Sequence, residues 1–180
     1  AEWWDAQRWD GELARALEAL HSVTADASAR EVLAAAGLDP GEYQPAKAAE
    51  FLREAARRSA ESINSTTREQ VAEAVNAEDA PGAVREVFDV AGDARADEVS
   101  LVAATFAAAF GAIEAGRQHG GGSKTWRTTS PNPRPEHAAM NGETVGLDER
   151  FSNGLKWPGA AGPDPGQVAG CRCTVDINFQ

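Results

Sequence analysis

The sequence predicts an α+β protein, with a mainly α-helical N-terminal region followed by a small Gly/Pro-rich mixed α/β module with short antiparallel strands. Three observations lead to this prediction. Apolar side chains recur at helical spacing before residue 118. Gly and Pro account for 16 of residues 118–180 but only 10 of residues 1–117. The last stretch, 171–179, alternates apolar and polar side chains as a half-buried strand does.

The helical region, residues 1–117, is rich in Ala and strongly acidic. The chain has 37 Ala but only 30 Leu, Val, Ile and Phe together, so its helices must pack closely around a thin core and gain stability on a partner surface. This region carries 22 acidic and 11 basic residues, whereas residues 118–180 carry 6 of each. Because an acidic surface repels phosphate, direct binding of nucleic acid is not expected.

The first half of this region predicts three helices. The first has an apolar stripe at Trp9, Leu13, Leu17 and Leu20. A second, short helix is expected from Asp26 to Ala36, before Gly37. The third begins near Pro45, which suits a first helical turn, and directs inward a set of apolar side chains: Ala48, Phe51, Leu52, Ala55 and Ala56.

The second half predicts three more helices. Thr66 with Glu69 forms a capping box, which predicts a helix start at Thr66. Asp79 and Pro81 open the next helix, with Val84, Val87 and Phe88 directed inward. The longest helix is predicted from Ala94 to Arg117, capped by Asp93, because its large apolar residues are spaced by three or four positions: Val99, Val102, Phe106, Phe110 and Ile113.

The C-terminal module, residues 118–180, predicts strands separated by loops. Gly120–Gly122 is interpreted as a linker, followed by a β-prone stretch over 124–129. Asn141-Gly142 is a hairpin-type dipeptide, and a short strand is expected over 143–145 after it. The final strand covers 171–179.

His137, Cys171 and Cys173 are a candidate metal-binding group, since strand alternation directs both sulfurs to one side. A structural zinc site needs four ligands, and the fourth is missing unless His119 or an Asp supplies it. We therefore favour the interpretation that the thiols pack as small apolar groups beside Val175 and Ile177, and we assign no metal and no cofactor. No helix start or nucleophile elbow precedes either thiol, so we assign no catalytic residue.

Two further groups of side chains are singled out. The first is a group of basic and aromatic residues: Lys124, Trp126, Arg134, His137 and Arg172. These residues could form an anion-binding or strand-binding surface. In the interpretation that we favour, Trp126 and Trp157 are buried as the core of the module, and the basic groups bind loop carbonyls or acids. Three indoles stand within nine residues at the start of the chain. If exposed, they form a partner-binding patch of Trp3, Trp4 and Trp9.

The cellular location is inferred from what the sequence lacks. No apolar run approaches the ~20 residues of a membrane span, and the first residues do not form a signal peptide. Two thiols separated by one residue make a poor disulfide framework, so we expect reduced cysteines and assembly in the cytoplasm. Because the chain begins at Ala1, we expect a fragment or a processed product.

A succession of short motifs closely resembles the C-terminal domain of phage Mu F-like minor head proteins, the phage head morphogenesis family. The resemblance covers about residues 60–180, beginning with a helix that contains Ile63-Asn-Ser-Thr66. Its motifs follow in order as Lys124-Thr-Trp126, Asn132-Pro133-Arg134-Pro-Glu-His137, Met140-Asn141-Gly142, Phe151-Ser-Asn-Gly154, Trp157-Pro158-Gly159 and Ala169-Gly170-Cys171-Arg172-Cys173. The long helix reads Ala104-Thr105-Phe106 where the family usually has Arg-Thr-Glu, so no catalytic acid is carried over.

This resemblance implies a non-enzymatic minor capsid protein of a tailed phage, located in the virion, in the head interior or at the portal vertex, and assembled in the host cytoplasm. It would act in head assembly and genome delivery, with the portal protein or the major capsid protein as partner and with no small-molecule substrate. The alternative is a phage-delivered effector or toxin-type enzyme, or its delivery adaptor. Outside residues 60–180, however, only about 60 residues remain, and they predict helices.

Overall fold

The computed structural model describes residues 3–92, 94–162 and 164–179. Its helices are α1 (Ala6–Ala35), α2 (Ala46–Ala74), α3 (Ala80–Gly92), α4 (Ala94–Gln118) and α5 (Pro135–Ala139). Its strands are β1 (Gly121–Arg127), β2 (Thr144–Gly146) and β3 (Thr174–Phe179), and short 3₁₀ helices lie at Pro40–Glu42 and Pro165–Gln167. The sheet has the order β2-β1-β3 and is antiparallel throughout. The α+β prediction, with the helices first, is confirmed.

Helix α1 is one continuous helix, so the prediction of two helices over this stretch is wrong. It starts at Asp5, whose Oδ1 accepts a hydrogen bond from the Arg8 amide at 3.0 Å. It ends at Gly37, which has φ +75° and lets the Leu38 amide donate to the Leu33 carbonyl. From Leu17, which belongs to the predicted stripe, the buried face continues between these caps through residues that the stripe did not reveal: His21, Ala25, Ala29 and Leu33.

Helix α2 also joins two predicted helices, and the predicted helix start at Thr66 is wrong. Thr66 lies inside α2, where its hydroxyl donates to the Ser62 carbonyl at 3.0 Å instead of capping a terminus. The buried face runs through this point from Ala48 and Leu52 to Val71 without a helix breaker. Tertiary packing of that stripe therefore outweighs the local capping signal.

Helix α3 begins as predicted but is not packed as predicted. Asp79 accepts a hydrogen bond from the Gly82 amide at 3.1 Å, in keeping with a helix start. None of the α3 residues is buried, and Phe88 is 51% exposed, so the expected inward orientation of Phe88 is wrong. Val84 and Val87 are half-buried, whereas Phe88 and Val90 remain on the surface.

Helix α4 has the predicted extent and forms the centre of the protein; its predicted cap, Asp93, lies outside the described residues. It packs against α1 on one side and against β1 and β3 on the other. Gly111 makes the approach to α1 close, since a Cβ at this position would lie 2.2 Å from the Ala25 carbonyl oxygen. Phe110 and Ile113 are buried in a core that continues into the C-terminal module.

One helical run, Ala80–Gln118, is long and apolar enough by length and composition to cross a membrane. Its most apolar window has a mean hydropathy of 1.6, and 44% of that window is buried inside the protein. A central helix of a soluble core passes the same test, and α4 occupies such a position between α1 and the sheet.

The sheet joins the module to α4. In β1, Lys124 stands opposite Ile177 of β3 and Val145 of β2, and Trp126 stands opposite Val175. Strand β3 covers only Thr174–Phe179 of the predicted 171–179. Within it the predicted alternation is confirmed, with exposed even-numbered positions and more buried odd-numbered positions. The predicted linker is shorter than expected, because Gly121 already belongs to β1, and a Cβ there would lie 2.8 Å from the Gly116 Cα.

Candidate functional site

Trp126 is the centre of a buried cluster in the C-terminal module. Its side chain is fully buried, and its ring meets the rings of His137 and Phe151 edge-on at centroid distances of 5.2 and 5.1 Å. Its backbone also holds the chain that returns from α5, since its amide donates to the Glu143 carbonyl and its carbonyl accepts from Gly142, both at 2.9 Å. Gly142 has φ +92°, a conformation that favours glycine.

His137 is presented by the short helix α5, which Pro135 opens. The histidine is buried, and its carbonyl accepts a hydrogen bond from the Thr128 hydroxyl at 2.7 Å. Its Nε2 lies 3.1 Å from Oε1 of Gln167. An amide oxygen only accepts hydrogen bonds, so the neutral imidazole in this arrangement has its proton on Nε2 and its lone pair on Nδ1.

Cys171 and Cys173 stand next to that lone pair. Both are buried free thiols, and their Sγ atoms lie 3.7 and 3.4 Å from His137 Nδ1. Together with the imidazole they form a group of three donor atoms that all lie within 4.8 Å of one another. Cys171 is fixed further by its carbonyl, which accepts a hydrogen bond from the Thr105 hydroxyl at 2.9 Å.

The two thiols have different acidities. A hydrogen bond from Cys173 outweighs the opposite effect of burial and lowers the pKa of Cys171 to about 6. The same hydrogen bond and burial raise the pKa of Cys173 above its ordinary value. The favoured interpretation, in which the sulfurs merely pack among apolar groups, did not include a polar imidazole between them. The considered fourth ligand, His119, lies elsewhere, with its Nδ1 4.0 Å from Glu42.

Lys124 is fully buried and binds a loop. Its Nζ donates to the carbonyls of Gly146, Leu147 and Glu149 at 3.2, 2.5 and 2.7 Å and lies 5.3 Å from the centre of the Phe151 ring. Burial lowers the pKa of Lys124 to about 8. The three carbonyls use all three ammonium protons, so Lys124 has none left for an anion.

The other basic residues considered at this site are held differently. The Arg134 guanidinium donates to the Ala169 carbonyl, which ties α5 to the segment before the cysteines. Arg172 is exposed, and its carbonyl accepts a hydrogen bond from the Thr129 hydroxyl. Among the described residues these groups do not converge on one anion-binding surface.

Trp157 belongs to a second aromatic cluster, which joins the module to the helices. Its ring lies 5.5 to 6.1 Å from three rings on α2 and α4, those of Phe51, Phe106 and Phe110. Gly159, with φ +78°, allows the chain to pass close to Phe106, because a Cβ there would lie 2.7 Å from the Phe106 amide nitrogen.

The N-terminal indoles form a separate surface group, which we call the tryptophan patch (Trp3, Trp4 and Trp9). Trp3 and Trp9 are 58% and 41% exposed, and Trp4 is half-buried. Trp4 lies between the other two, with centroid distances of 5.7 and 6.4 Å, and the Arg8 guanidinium lies 4.6 Å from the Trp9 ring centre. The rings therefore cover one another only in part.

Sequence reasoning missed three polar residues that shape the interior. Gln167 and Thr105 hold the histidine and a cysteine, yet a lone Gln or Thr in the sequence carries no signal of such a role. His21 is buried on α1, 5.1 Å from the Phe106 ring centre, and burial lowers its pKa. Its position in register with Leu17 and Ala25 was the available signal.

A cleft of about 360 Å³ lies beside the cluster and is lined in part by Gln167, the hydrogen-bond partner of His137. It is lined by side chains that include Glu136, Met140, Asn153 and Asp164. The thiols are not among its lining residues.

No family model, curated protein or solved structure matches the chain.

Proposed function

We propose that this chain is a minor capsid protein of a tailed phage, associated with the portal vertex and acting in head assembly and genome delivery. The observation that carries the proposal is the ordered series of motifs resembling Mu F-like minor head proteins. Residues of these motifs that are far apart in sequence meet in one buried cluster: Trp126 contacts His137 and Phe151, and His137 contacts both cysteines. The motifs are thus explained by packing of a structural module.

The helical region supports attachment to a larger assembly. Large apolar side chains remain exposed at several places on it, among them the tryptophan patch and the surface of α3 at Phe88 and Val90. Burying such side chains on a partner is favourable at ~25 cal/mol per Å² of apolar surface. The acidic charge of residues 1–117 favours a basic protein surface, such as one on the portal protein or the major capsid protein, over packaged DNA.

The rival function, a phage-delivered effector or toxin-type enzyme, is supported less well. The thiols are buried and do not line the neighbouring cleft. Lys124, the buried cation of β1, donates all three of its ammonium protons to backbone carbonyls. A nucleophile needs access to its substrate, and neither cysteine has it.

Deletion of the gene from a phage that encodes it, followed by complementation, tests the proposal. We expect the deletion to reduce infectious titre, and quantitative mass spectrometry to find the wild-type chain in purified particles at a few copies per portal. The double substitution W3A/W9A should lower its incorporation, whereas V23S, at an exposed apolar residue of α1 outside the patch, should not. Deletion particles that infect and deliver DNA normally would refute the proposal.

Toxicity separates the rival function from the proposed one. If the chain is an effector enzyme, its expression in the host cytoplasm should slow growth, and C171S should abolish that effect. A structural protein should leave growth unchanged in both cases.

A further inference from the structure

The group of His137, Cys171 and Cys173 has the donor chemistry of a transition-metal site. Its donors are one imidazole nitrogen and two sulfurs, all from buried side chains. Soft sulfur with imidazole nitrogen selects Zn²⁺ over Mg²⁺ or Ca²⁺, which prefer oxygen ligands. The donors come from α5 and from the segment before β3, which lie 34 residues apart in the chain.

The spacing of the donors matches zinc. With Zn–S of about 2.3 Å and Zn–N of about 2.0 Å, a tetrahedral ion separates a sulfur from a nitrogen by about 3.5 Å. The observed Sγ–Nδ1 distances are 3.7 Å for Cys171 and 3.4 Å for Cys173. All three donors also lie within 4.8 Å of one another, so their separations are close to those that one zinc ion requires.

The histidine is oriented as a metal ligand. Gln167 Oε1 accepts a hydrogen bond from Nε2–H, so Nδ1 is directed at the sulfurs; metal-binding histidines typically have such a partner on the other ring nitrogen. One lone pair can accept a proton from only one thiol. A single metal ion, in contrast, satisfies the imidazole and both sulfurs together.

We propose that His137, Cys171 and Cys173 bind one Zn²⁺ ion that stabilises the C-terminal module. Binding forms two Zn–S bonds and one Zn–N bond and releases the thiol protons to solvent. No fourth His, Cys, Asp or Glu joins the group among the described residues. The fourth position of the tetrahedron would therefore be filled by a ligand from outside the protein, such as water, whereas structural zinc sites usually have four protein ligands. The ion links α5 to the segment before β3, across loops rich in Gly and Pro. The inference does not depend on the proposed function.

Metal binding by the full chain, purified without a histidine tag, tests this proposal. We expect one zinc ion per chain by mass spectrometry after dialysis. Co²⁺ added to the chelator-treated protein should give thiolate-to-cobalt charge-transfer absorption and tetrahedral visible bands, which Zn²⁺ then abolishes. Zinc at a hundredfold excess over its Kd should raise the Tm by about 5–10 °C.

Variants assign the ligands. C171S and C173S each remove one of the two thiolates and should each lower the charge-transfer absorption by half or more, whereas H119N, at a histidine outside the group, should retain it in full. Q167L should weaken zinc binding by about 10–100-fold, because Nε2 loses its partner. The cobalt spectrum of the wild-type chain tests the proposal even if none of the variants folds. Absence of the cobalt charge-transfer band in folded wild-type protein with excess metal would overturn the proposal, as would a band of undiminished intensity in both cysteine variants.

Discussion

The contact between α1 and α4 depends on the missing side chain of Gly111. A Cβ at this position would lie 2.2 Å from the Ala25 carbonyl oxygen and 2.7 Å from the Ala25 Cα, both of which are backbone atoms of α1. Since a Cβ contact needs at least 3.0 Å, G111A requires the two helices to separate by about 1 Å. A gap of that size removes a quarter to a half of the dispersion energy of the contacts that it opens.

We therefore expect G111A to destabilise the protein by about 2–3 kcal/mol, even though Ala favours helix over Gly. For a chain of this length that corresponds to a fall in Tm of about 4–12 °C. The assay is thermal unfolding followed by circular dichroism, with urea unfolding as a second measure of the free energy.

The matched control is G11A, the same substitution in α1. A Cβ there has only the Arg15 guanidinium nearby, at 3.8 Å, so helix propensity should dominate and stabilise the protein by about 0.5–1 kcal/mol. If G111A unfolds at the wild-type temperature or above, α1 and α4 do not cross at this point and the reasoning is wrong.

Three further predictions concern the module and are measured by urea unfolding. K124M should lower the free energy of unfolding by about 2–4 kcal/mol, because three loop carbonyls lose their hydrogen-bond donor. The control K156M, at an exposed lysine, should lower it by less than ~0.5 kcal/mol. The pKa of Lys124 is about 8 in the folded protein and 10.5 for an ordinary lysine, so the unfolded chain binds more protons than the folded one between these pH values. The free energy of unfolding of the wild type, relative to that of K124M, should therefore rise with pH over this range. A difference between the two proteins that does not change with pH would contradict this. W157A should lower the free energy of unfolding by about 3–5 kcal/mol, because it removes the central ring of the second aromatic cluster. The control D148N removes an exposed ion pair with Arg117 and should change this free energy by less than ~1 kcal/mol. Equal losses in the two variants would contradict the role of Trp157 in joining the module to the helices.

The sequence was most informative where large apolar residues are periodic. The spacing of Phe106, Phe110 and Ile113 predicted α4 with its observed bounds to within one residue. The split of α1 into two helices failed because the core face there is carried by Ala25 and Ala29, and Ala gives little contrast in an Ala-rich sequence. Secondary structure in this region is therefore determined by close packing of small residues, which becomes visible only when the helices meet.

The candidate site could be predicted in its membership but not in its geometry. Alternation identified the common side of Cys171 and Cys173, yet the distance to His137 depends on how the chain returns from α5 to β3. Gln167, which orients the imidazole, belongs to a short 3₁₀ helix with no periodic pattern. Such partners are set by tertiary structure, so single-sequence reasoning could not find them.

Cryo-electron microscopy of intact particles of a phage that encodes this chain tests the central claim most directly. Our account predicts density beside the portal into which α1, α2, α4 and the three-stranded sheet fit, with the tryptophan patch or α3 against a neighbouring chain. Portal-vertex and head-interior density that other proteins explain completely, in particles from which this chain is absent by mass spectrometry, would contradict it.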